Sequence, residues 1–133
     1  VDLLSLQPST ITLDLTHPAT GAHLGVRVEL QSLESDEVKA VERRIKNKAF
    51  KSGRSSVTAE KVEDNATAIL AAAIVSWTFS KDAYGNDATL DGDAKPACTD
   101  ANKRKFLAVP ALAKQIDTAL GDEAAFFVKS ESS

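Results

Sequence analysis

Residues 10–31, TITLDLTHPATGAHLGVRVELQ, decide the fold class. Ile11, Leu13 and Leu15 alternate with Thr10, Thr12, Asp14 and Thr16. Further on, Leu24, Val26, Val28 and Leu30 share one face, while Arg27 and Glu29 take the other. A period of two marks a strand buried on one side. Between the two runs, Pro18 and Gly21 sit where a turn needs them. The stretch predicts a β-hairpin with one apolar face. A lone hairpin is marginal in water, so that face must pack against the rest of the chain. Residues 1–9, ahead of it, form an arm carrying Leu3, Leu4 and Leu6.

Past Leu33 the period changes. Ser35 fits an N-cap, and Asp36 and Glu37 suit the positive end of a helix dipole. Val38, Val41, Ile45 and Ala49 recur at helical spacing, and Gly53 closes this helix. Residues 52–56 make a polar link. Thr58 caps a second helix, in which Val62, Ala66, Ile69, Leu70, Ala73, Ile74 and Trp77 share one face. This is the strongest helical pattern in the chain and the expected centre of the core.

Residues 80–98 are rich in Gly, Asp and Asn with little periodicity. They predict a loop, with room for a short turn or hairpin at Tyr84-Gly85-Asn86-Asp87. Thr99 caps a short helix bearing Phe106, Leu107 and Val109. Pro110 ends that helix or begins the next, where Leu112, Ile116 and Leu120 form a last stripe before Gly121. Phe126 and Phe127 lie in a final short segment, and residues 129–133 form a solvated tail. The expected fold is α+β, a single domain over residues 1–133. Its N-terminal antiparallel β-hairpin (10–31) packs on a mainly helical part (35–128) of about four helices.

Composition supports a self-sufficient core. A chain of 133 residues buries about two-thirds of its unfolded surface. Its 43% apolar and 26% charged residues match ordinary globular proteins and argue against disorder. The longest apolar run, residues 66–75, broken only by Thr67, is far short of the roughly 20 residues of a membrane helix, so no membrane is expected. Cys98 is the only cysteine, which rules out an intrachain disulfide and fits a reducing compartment. No signal-peptide pattern is present.

The residues that carry chemistry are few. His17 and His23 flank the turn with no further ligands at zinc-type spacing. Cys98 would need a base beside it to act as a nucleophile, and a role as a small packing residue is commoner. Asp87, Asp91 and Asp93 resemble the start of a calcium loop, but its last position is Cys98 instead of a bidentate Glu. There is no phosphate-binding Gly loop and no serine elbow. Neither catalysis nor a cofactor is expected.

Charge does stand out in one place. Lys39, Arg43, Arg44, Lys46, Lys48, Lys51 and Arg54 crowd the first helix and its exit, with Glu42 the one acid among them. They form either a solvated face, with cations favouring the helix C-terminus, or a docking face for an acidic partner. Net charge is −3, and the acidic remainder of the chain opposes binding to phosphates, so nucleic acid is not the expected partner. Phe126 and Phe127 are adjacent, so one surface cannot bury both equally. One of them is a candidate interface anchor. The candidate partner-binding residues are therefore Arg43, Arg44, Lys46, Lys48, Phe126 and Phe127.

Several of these features, in this order, resemble the tail assembly chaperones of long-tailed (siphovirus-type) bacteriophages and prophages. An alternating strand enters the turn His17-Pro18-Ala19-Thr20-Gly21, and a second strand leads to a helix start at Ser35-Asp36-Glu37. A helix follows that ends in Ile74-Val75-Ser76-Trp77-Thr78-Phe79. Asp82 and Gly85 come next in the loop, then Asn102 ahead of Phe106-Leu107, then Gln115-Ile116 before Phe126-Phe127. The resemblance spans nearly the whole chain, from Ile11 to Phe127. It implies a non-catalytic protein that binds the long, helix-rich tape measure protein and helps the tail tube protein polymerise around it. It also implies self-association, a place in the cytoplasm of the bacterial host, and departure before the virion is complete. The alternatives are a small structural tail or head–tail protein retained in the virion, and a nucleic-acid-binding regulator using residues 39–54.

Overall fold

The computed structural model describes residues 2–52 and 59–128. A 3-10 turn at Leu3–Ser5 precedes strands β1 (Ile11–Thr16) and β2 (His23–Leu30). Helices α1 (Asp36–Ser52) and α2 (Ala59–Ala73) follow, and strand β3 (Ile74–Phe79) comes directly after α2. Helices α3 (Asp100–Leu107), α4 (Pro110–Gly121) and α5 (Ala125–Val128) complete the described chain. The fold is α+β, as the sequence predicts. The expected Gly53 helix end, polar link and Thr58 cap fall on residues 53–58, outside the described residues, as does the tail.

The hairpin forms as expected, with Ile11 opposite Leu30 and Leu13 opposite Val28. Its turn is held by the His17 amide donating to Ala22 O and the Gly21 amide donating to His17 O. The sheet, however, has three strands in the order β1-β2-β3, all antiparallel. This corrects the sequence reading, which carried the second helix through Trp77. The helix stops at Ala73, where the alanine run gives way to Ile74-Val75-Ser76-Trp77-Thr78-Phe79, a run of β-branched and aromatic residues. The helical end ascribed to these residues in the family resemblance is thus a strand in this chain.

The register explains the misreading. Glu29 faces Ser76 but Leu30 faces Ile74, so Val75 is an extra, bulged residue and is exposed. A bulge resets which face the next residues occupy. Ile74 and Trp77 therefore both point inward although they stand three apart, a spacing that mimics a helix.

One face of the sheet is apolar and buried. Leu15, Val28, Leu30 and Ile74 are closed from solvent, together with Val38 of α1, Phe106 of α3, Ile116 and Leu120 of α4, and Phe126 of α5. Trp77 packs its ring 5.4 Å from that of Phe106 and donates its indole N–H to Pro96 O at 2.8 Å. The other face is polar. Arg27 pairs with Asp14 at 2.9 Å, and Glu29 accepts from Thr10 and Ser76 hydroxyls. Helix α4 is pinned to the β1 edge by Gln115, whose amide accepts from Thr16 N–H at 3.0 Å and donates to Thr16 O at 2.8 Å. Thr99 caps α3 by accepting from the Asn102 amide, and Pro110 begins α4. Ser35 precedes α1 as expected, and its carbonyl accepts from Lys39 N–H. Its hydroxyl, however, makes no hydrogen bond among the described residues.

Gly25 is the tightest point of the sheet. Three residues of β2, Leu24, Gly25 and Val26, stand opposite Leu15 alone, and Gly25 has φ +84°. A Cβ there would lie 2.6–2.8 Å from the backbone of Lys81 and Asp82. The loop after β3 crosses here, fastened by the Ser80 amide and hydroxyl donating to Gly25 O. Gly25→Ala is therefore expected to destabilise the fold by about 2 kcal/mol or more, from backbone strain and displacement of the loop. Urea denaturation followed by circular dichroism measures it.

Candidate partner-binding groove

The apolar stripe of α1 is unevenly covered. Val38, at its start, is fully buried, Val41 and Ile45 are half-buried, and Ala49 is exposed. Along α2 the trend is matched: Ala71 and Ala73 are buried, Ala68 is half-buried, and Val62 is 56% exposed. The two helices run as a hairpin packed at its base and open toward its tip. Helix α3 stands alongside as a third wall.

The result is a groove of about 600 Å³. Its floor and sides are Val41, Ile45, Ala49, Val62, Ala68, Ala71 and Ala72. Five basic residues, Arg44, Lys48, Lys61, Lys103 and Arg104, rim it against two acids, Asp64 and Asp100. Both acids are held by Arg104, through Asp100 at 3.0 Å and Asp64 at 3.5 Å. Arg44, Lys48 and Lys103 add positive charge to the rim, on a chain whose net charge is −3. Among the described residues no aromatic ring lines it.

The basic helix is thereby divided. Arg44 and Lys48, one turn apart, line the groove. Arg44 and Lys48 also border a shallow dent of the adjoining surface, which they share with Ala40, Arg43 and Asn47, so Arg43 lies beside the groove without lining it, and Lys46 lines neither. No described carboxylate is within ion-pair distance of these four. Lys39 is different. It pairs with Glu34 at 3.1 Å and Glu42 at 3.8 Å, and its pKa is raised, first by the hydrogen bond to Glu34 and then by the two negative charges. It is not an available docking cation. The side chain of Lys51, and Arg54, lie outside the described residues.

The phenylalanine pair is also divided. Phe126 is fully buried, and its carbonyl accepts from both the amide and the hydroxyl of Ser9. As a candidate surface anchor it is corrected to a core residue, because α5 places it in the buried cluster that also holds Ile116 and Leu120. Phe127 is 39% exposed. The arm beside this region exposes Leu3, Leu4 and Leu6.

The other candidates are accounted for locally. His17 Nδ1 accepts from the Ala19 and Thr20 amides, so it serves the turn. Asp82 accepts from the Tyr84 and Asn86 amides, closing a small turn whose flanks Lys81 and Asp87 bridge, as predicted for this stretch. Asp87 pairs with Lys81 at 3.0 Å. No group of three or more potential metal ligands occurs among the described residues. Burial pushes the Cys98 thiol pKa up, partly opposed by the charge of Lys103. No helix among the described residues is long and apolar enough to cross a membrane.

The α2 and α3 contributions to the groove, above all Lys61, Ala68 and Lys103, are not marked by the sequence reading. The available signal was the alanine run. A helical stripe of alanine facing a stripe that ends in Ala49 leaves too little bulk to fill the space between two helices.

Two outcomes follow. Phe126→Ser is expected to cost at least about 3 kcal/mol of stability, and Phe127→Ser under about 1 kcal/mol, by chemical denaturation. Because a raised pKa lowers the thiolate fraction, Cys98 is expected to react with iodoacetamide more slowly than free cysteine at pH 8. Its rate should climb only at higher pH. No protein-family model, curated protein or solved structure matches the chain.

Proposed function

We propose that this chain is a protein-binding assembly factor, the tail assembly chaperone of a long-tailed phage or prophage. It works by binding alone, holding a helical segment of the tape measure protein and keeping it soluble while tail tube subunits assemble. The observation that carries the reading is the groove between α1, α2 and α3, an apolar trough left uncovered in the isolated chain. A long helix-rich client needs such a surface, repeated by several copies along its length. Arg44 and Lys48 are the docking cations, while Phe127 and the exposed leucines of the arm supply contacts between copies. The chain acts in the host cytoplasm and leaves before the particle is finished.

Co-expression with the large helix-rich protein encoded downstream of this gene tests the proposal. The expected result is a soluble, co-purifying complex, with several copies of this chain per client by light scattering. No complex, together with a monomeric chain, overturns it. Recovery of the chain from purified virions would favour a retained structural protein instead.

A further inference from the structure

From the groove itself we infer the chemistry of its occupant: an amphipathic α-helix whose stripe of large aliphatic side chains is flanked by Asp and Glu. This rests on the groove being the client site.

The walls are all helices, whose backbone groups beyond the first turns are paired within each helix. They offer no strand edge, so an extended peptide laid there would bury unpaired amides. A helix carries its own hydrogen bonds and needs only side-chain contact. From Lys61 to Ala72 the groove follows α2 for about 16 Å, at about 1.5 Å per residue, which is about three turns of a partner helix. Its floor is mostly alanine, so the bulk must come from the partner as Leu or Ile. Arg44 and Lys48 rise on one wall and Lys103 on another, so acids on both flanks of the partner stripe meet cations.

Two synthetic helical peptides test this on the full chain. They share one leucine stripe, and one carries glutamates and the other lysines at the flanking positions. Fluorescence anisotropy is read at about 0.05 M and about 0.5 M salt. The glutamate peptide is expected to bind at least about tenfold more tightly at low salt, and the gap to shrink at high salt. R44E/K48E, at two exposed positions, is expected to abolish or invert the preference. A68L, which fills the floor, is expected to weaken both peptides while the melting temperature holds.

Equal affinity for the two peptides overturns the inference, as does binding unaffected by both variants. It is also overturned if neither peptide binds until the arm leucines are replaced by serine and a dimer dissociates, because the groove's occupant is then a second copy. Capture of the downstream client without glutamate-peptide binding removes this occupant and leaves the chaperone reading standing. Peptide binding without client capture does the reverse.

Discussion

Strand β2 can be buried only if both of its edges are hydrogen-bonded and its inner face is covered, and the chain supplies these partners from far apart. β1 comes from the hairpin. β3 arrives only after α1 and α2 have left the sheet at Leu30 and returned at Ile74, and these two residues are paired. Gln31 locks this junction. Its amide donates to Ala73 O, and its side chain donates to Ala72 O and Glu37. The α1–α2 hairpin is therefore an excursion clamped at its base by sheet pairing. Among the described residues its distal half carries no such clamp, and that is where the groove opens.

What the sequence could show depended on whether a pattern had one reading. Thr-Ile-Thr-Leu-Asp-Leu alternates without interruption, and the hairpin was legible, though not the irregularity at Gly25. The Thr99 cap and the turn at Asp82–Asp87 were legible because short polar side chains act on neighbouring amides, a local matter. The third strand was not legible. The bulge at Val75 puts Ile74 and Trp77 on one face at helical spacing, and they continue the phase of Ile69, Leu70 and Ala73. Only residue type distinguishes the two: alanines before Ile74, β-branched and aromatic residues after it. Periodicity outweighed propensity in the reading, and pairing with β2 decides the opposite way.

The groove was half legible for a related reason. Arg44 and Lys48 announce themselves as charge, but which way a surface cation faces depends on the neighbouring helix. Nothing in α1 alone tells Arg44 from Arg43. The phenylalanine pair behaved likewise. Adjacency shows that the two rings must part company, whereas the Ser9–Phe126 contact, between opposite ends of the chain, fixes which one enters the core.

An uncovered apolar trough is a hazard as well as a site, since two copies could close on each other. The rim bears on this. A symmetric dimer formed groove to groove would bring two cation-rich rims together, each bearing Arg44, Lys48 and Lys103, and like charges that lose solvent repel strongly. The cations thus disfavour self-closure by the same property that favours an acidic helix. A different part of the surface, where Leu3, Leu4, Leu6 and Phe127 are exposed near the joined ends of the chain, is the one the proposed function assigns to contacts between copies. Separating the two surfaces lets a chain oligomerise while its groove stays open, which a protein that coats a long partner requires.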